Sequence, residues 1–161
     1  MSDPTRRRAW RWGLAIVSIG VCVMFGIGLA SCRAPELGVR EGTLTPCPGR
    51  PNCVNSQDPD PAHRVEPLRF EGSPEVAWAR ARAIVSSWPR TEVIVDEPGY
   101  LRAVSTSLVF RFRDDLELLL DEAGSQIHVR AGARMGYSDF GVNRGRVASL
   151  RAAFDEEVAE K

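Results

Sequence analysis

The chain has 161 residues, 43% hydrophobic and 26% charged, which is ordinary globular composition and leaves room for one domain. Four of the 21 basic residues (Arg6, Arg7, Arg8 and Arg11) and one of the 21 acidic ones (Asp3) fall in the first 32 positions, so the rest carries 17 basic against 20 acidic groups, a net charge of −3. No concentrated basic face follows from that balance, and a nucleic-acid partner is not expected.

Arginines 6–8 and 11 precede Gly13–Ser31, a stretch without charge, with Trp10 and Trp12 where it would meet lipid headgroups. This is a basic n-region followed by an apolar h-region. Leu29-Ala30-Ser31-Cys32 resembles the lipobox of bacterial lipoproteins, in which the cysteine is lipidated and becomes the mature N-terminus. Residues 1–32 therefore read as a lipoprotein signal sequence with Cys32 as the lipidation site; an uncleaved membrane helix over 13–31 is the alternative, since about 20 apolar residues can span a bilayer. Either way the positive end stays inside and the remainder faces outward. The expected location is the cell envelope, anchored in a membrane with the domain on the non-cytoplasmic side.

Residues 33–43 read as a tether and 44–161 as the exported domain. Seven of the eleven prolines lie in 33–69, so this segment is expected to be an irregular strap, ending in a short edge strand near Val65–Phe70. An exported chain meets an oxidising compartment, and Cys47 and Cys53 flank a Pro- and Gly-containing turn, so a disulfide between them is expected. Metal binding with His63 is the competing reading. The spacing matches no common zinc signature, and neither a metal nor a cofactor is expected.

Ser73 and Pro74 start a helix whose apolar positions are Val76, Trp78, Ala81, Ile84, Val85 and Trp88, and Pro89 stops it. Strands are expected over Thr91–Asp96, Tyr100–Ser107, Val109–Arg113 and Leu116–Leu120, the last joined by an Ala123-Gly124-Ser125 turn to Gln126–Gly132. Val142, Val147, Leu150, Phe154 and Val158 mark a C-terminal amphipathic helix. The expected fold is α+β, a two-layer sandwich with an antiparallel sheet of about four to five strands and both helices on one face.

Two clusters are candidates for binding. Arg111, Arg113, Asp114, Asp115 and Glu117, with Arg102 and Arg130 on neighbouring strands, could line a pocket for an anion, because guanidinium forks suit carboxylate or phosphate. The plainer reading is cross-strand ion pairing on a solvated face, favoured by the near balance of acids and bases. The second cluster runs from Arg134 through Tyr137, Ser138 and Asp139 to Asn143 and Arg144. Its structural reading makes Ser138 or Asp139 a helix cap and pairs Arg134 with Asp139. Neither His63 nor His128 has a nucleophile context, so no catalytic residue is assigned. The expected function is a non-catalytic binding module for a protein partner or small anionic ligand. A small envelope enzyme using Asp139 with Asp114, Asp115 or Glu117 is the alternative.

Leu44-Thr45-Pro46-Cys47-Pro48, Pro51–Ser56, Tyr100–Ala103, Phe110–Glu117 and Gly136–Arg144, in that order, resemble the domain-of-unknown-function family 1499 over roughly Leu44 to Phe154. The resemblance implies an envelope or membrane-associated setting and no established activity. That family usually shows a serine where this chain has Ala131, which argues against an essential hydroxyl there.

Overall fold

The structure is a computed structural model describing residues 4–30 and 33–159, with side chains described for 10–23, 26 and 33–156. None of the described side chains of helix α1 (Pro4–Ala30) belongs to the core, and Trp10 to Val23 are exposed. Among the described residues no helix is long and apolar enough to cross a membrane; the side chains at 24, 25 and 27–30 lie outside that description. Cys32, the expected lipidation site, lies outside the described residues as well.

Four short strands thread the Pro-rich strap: β1 (Val39–Arg40), β2 (Thr43–Leu44), β3 (Cys53–Asn55) and β4 (Leu68–Arg69). After helix α2 (Pro74–Ser87) comes an antiparallel meander of β5 (Thr91–Glu97), β6 (Tyr100–Thr106), β7 (Arg113–Asp121) and β8 (Gln126–Ala133), and then helix α3 (Val142–Ala159). The outer edge of β8 is completed in two pieces, β3 along 130–132 and β4 along 126–127. The sheet thus has six strands, more than the four to five expected, because the strap supplies two short ones. Strand expectation fails at 107–112. The alternation of Phe110 and Phe112 with Arg111 and Arg113 there suggested a strand, but it is a loop, and β7 begins only at Arg113.

Ser73 caps α2, its Oγ accepting from the Val76 N–H at 3.3 Å, and Pro74 fills the first turn where no N–H is needed. Trp88 is extended (ψ 137°), as a residue before proline must be, and ends the helix. Ala77, Ala81, Ile84 and Val85 face the sheet, with Trp78 and Trp88 packed at the margin, while Val76 points outward, so the apolar stripe is rotated by one residue from expectation. In α3 the buried face is Val147, Leu150 and Phe154, and Val142 is exposed.

Register explains the two faces. Ala103, Leu116, Ala131 and Val54 sit side by side across four strands and meet both helices, as do Leu101, Leu118 and Val129 in the next row. One residue along each strand, the row becomes Arg102, Glu117, Arg130 and Asn55, on the opposite face. The core closes between positions 44 and 154 without α1.

Candidate functional site

The ionic row is not solvated. Asp115 takes Arg102 Nε and Nη2 on one oxygen (3.0 and 2.8 Å) and Arg134 Nε on the other (2.7 Å). Glu117 accepts from Arg130 Nη1 at 3.1 Å and from the Tyr100 hydroxyl at 2.8 Å. Asp115 and Glu117 are 1% and 0% exposed. The reason is the strap, which lies over this face: Pro35 O accepts from Arg102 Nη2 (3.3 Å), Leu44 is buried, and Thr45 O accepts from Asn55 Nδ2 (3.3 Å). The Cys47–Cys53 disulfide pins it, with Cα atoms 5.6 Å apart. A Cβ on Gly132 would lie 3.2 Å from Cys53 Sγ, so a side chain there would press on the bridge. Burial raises the Glu117 carboxyl pKa, opposed by Arg130, and burial together with Glu117 raises that of the Tyr100 phenol. The expected ion pairing is therefore present, but in a closed interior rather than on a wet face.

Arg134 pairs with Asp115, not with Asp139 as expected. Asp139 instead accepts from the Gly141 and Asn143 N–H groups (3.0 and 2.8 Å), fastening the start of α3, and Ser138 Oγ accepts from the Phe140 N–H. Asn143 is buried against the Asn52 carbonyl, and Arg144 donates to the Ala62 and Arg64 carbonyls (2.7 and 3.0 Å), so both tie α3 to the strap. Asn52 completes this link by donating to the Gly136 carbonyl at 2.8 Å. His63 Nδ1 lies 3.0 Å from the Cys53 carbonyl. Among the described residues no three His, Cys, Asp or Glu side chains gather as a metal ion would need.

The candidate residues are thus divided. Arg102, Asp115, Arg130 and Arg134 form the covered network, with Arg113 at the start of the same strand as Asp115; Arg111 lies in the 107–112 loop, and Tyr137 is exposed in the 134–141 loop. Asp114 faces the other way. Its neighbours at alternate positions, Leu116 and Leu118, are core, yet Asp114 opens into a cleft of about 490 Å³ at the end of the sheet, between the C-terminus of α2 and the N-terminus of α3. There it pairs with Arg146 Nη1 at 3.1 Å. Thr91, Ser105, Thr106, Ser107 and Ser149 add five hydroxyls, and Arg90 a second cation. Burial raises the Asp114 pKa, with Arg146 pulling it down and Asp139 and Asp115 pushing it up. Sequence reasoning missed Arg146, Ser105 and Asn52. The signal for the cleft was present: an aspartate standing at a core position in a strand of alternating leucines. A larger cleft, about 630 Å³, lies at the opposite end beside Gly38, Tyr100 and Glu122 and holds no cationic side chain.

This is a small α+β domain, a mixed-length antiparallel sheet with two helices on one face and a disulfide-pinned strap on the other. Residues 43–154 match the family model described as "Protein of unknown function (DUF1499)", and the chain belongs to that family. No curated protein and no solved structure matches it.

Proposed function

We propose that the chain is a membrane-anchored cell-envelope protein whose domain, on the non-cytoplasmic side, is a non-catalytic module binding a protein partner or small anionic molecule in the cleft beside Asp114 and Arg146. One observation carries the binding reading: two arginines, five hydroxyls and a single carboxyl, itself pushed toward its neutral form, converge on a cleft of about 490 Å³. That size lies within the range of small-molecule sites, about 300–1,000 Å³. The anchor reading is supported by Leu14, Ile16, Val17, Ile19, Val21 and Val23, all exposed on α1 and covered by nothing in the domain, an arrangement that suits lipid or removal with a signal sequence.

Two experiments test this. Labelling cells with a fatty-acid analogue should mark the wild-type protein and not Cys32→Ser, which should persist as a larger precursor; an unlabelled wild type that keeps its N-terminal segment would replace the lipid anchor with an uncleaved helix. A screen of phosphate- and carboxylate-bearing compounds against residues 33–161 should yield binders lost in Arg146→Gln while circular dichroism stays native. Undiminished binding by that variant would remove the cleft from the account. A second reading, a small envelope enzyme working through carboxylates, is favoured by the raised Asp114 carboxyl in the field of Asp139. Asp114→Asn that binds the ligand yet abolishes its turnover would establish it.

A further inference from the structure

The domain's exposed apolar residues are not scattered. Of its ten large ones among the described residues, seven lie at one end of the sheet, in the 107–112 and 134–142 segments, with Leu108, Val109, Tyr137 and Phe140 between 64% and 97% exposed. Neighbouring strand ends bring these segments together: Ala133 pairs with Asp114, and the Arg134 N–H donates to the Arg113 carbonyl at 3.1 Å. Leu108 and Val142 line the same cleft from its two sides. A concentration of exposed apolar side chains at one end of a domain marks a surface that meets something other than water. We infer that this end of the domain docks on an anionic lipid bilayer, with Leu108, Val109, Phe110, Tyr137 and Phe140 set among the headgroups. The inference rests on the membrane-anchored reading and adds an orientation to it.

Three features select lipid as the occupant. Aromatic and aliphatic side chains beside arginines are the composition of an interfacial surface, where indole and phenyl rings sit at headgroup depth and guanidinium groups meet phosphate. Arg90 and Arg111 are exposed at this end, and Asp139 accepts from the Gly141 and Asn143 N–H groups at the start of α3. The third feature is the path of the tether. The chain passes Pro35 beside Arg102 in the middle of the outer face and then runs to Gly38 and Val39, beside the β5–β6 turn at the opposite end. From Gly38 back to Pro35 the chain thus runs away from the far end, and position 32 lies three residues before Pro35, within about 11 Å of extended chain. A lipid anchor within that reach would keep the domain close to the membrane. The cleft opens at the same end, so its ligand would be reached from the lipid side.

The core closes without α1, so residues 33–161 can be tested alone. The fragment, carrying an N-terminal hexahistidine tag, is held on nickel-chelating vesicles of phosphatidylglycerol and phosphatidylcholine with chain-brominated lipid, which quenches tryptophan. Phe140→Trp should be quenched several-fold more than Ala123→Trp at the far β7–β8 turn, each above the parent's background. Leu108→Asp should reduce the Phe140→Trp signal, and vesicles of phosphatidylcholine alone should give less quenching. Equal quenching at the two positions, or none at Phe140→Trp in a natively folded fragment, would overturn the docking face; equal quenching on neutral vesicles would overturn its anionic character. Because the tag replaces the lipid, this result is independent of whether Cys32 is acylated.

Discussion

The outer face of the sheet and the loop end at its rim both combine arginines with acids, and they use them in opposite ways. On the outer face Asp115 and Glu117, 1% and 0% exposed, are engaged by guanidinium groups under a disulfide-pinned strap, so no ligand can reach them. At the loop end, Asp114 and Arg146 line an open cleft with apolar side chains at its mouth. The lesson is that charge density does not locate a site; access does. A buried ion pair repays its desolvation only when its geometry is complete, so its members tolerate no change, whereas an open loop is free to vary.

That contrast can be broken at several points. The largest effect should come from Asp115→Ala, which removes the buried carboxylate that Arg102 and Arg134 share: a loss of roughly 3–5 kcal/mol in urea unfolding is expected. A loss under about 1 kcal/mol would mean that water reaches this face. Cys47→Ser with Cys53→Ser should cost about 2 kcal/mol, the loop-closure term for so short a ring, and should speed amide exchange in 44–58 without touching 107–112. Uniform acceleration would deny the strap its separate role.

A smaller effect concerns pH. Burial lowers the His128 pKa, against a partial pull upward from Asp121, so the unfolded chain binds a proton that the folded one resists. The stability contributed by keeping this ring neutral is therefore present above the usual histidine range and is lost as pH falls through it. His128→Gln should flatten the stability profile there, and an unchanged slope would show that another group is responsible. Asp114 and Glu117 act with the opposite sign: with raised pKa values they favour folding as pH falls toward the ordinary carboxylate range. The smallest change belongs to the loop end, where Leu108→Ser and Phe140→Ser should shift stability by no more than about 0.5 kcal/mol. A cooperative loss there would make these loops part of the core.

Much of this was legible in the sequence, and the rest was hidden for physical reasons. Ser73, Pro74 and Pro89 mark α2 through local chemistry, and the two-residue period of 113–133 reveals the shared faces of two strands. The period cannot say which face is wet. That depends on the strap, whose cover comes from residues 60 to 100 positions away from the charges it hides, as with Pro35 on Arg102. Val109–Arg113 alternates like a strand, but only Arg113 pairs, because the β6–β7 ladder ends at Thr106 and Arg113. Arg134 lay as near in sequence to Asp139 as an ion pair needs, yet the diagonal neighbour across the sheet, Asp115, captures it.

Hydrogen–deuterium exchange on the full chain in its own membrane, set against residues 33–161 in solution, tests the division between closed face and open end most directly. The account predicts new protection in 107–112 and 134–142 on the membrane and none in 113–121, which the strap already shields. Protection gained over the strap at 33–58 while the two loops exchange as freely as in solution would contradict it.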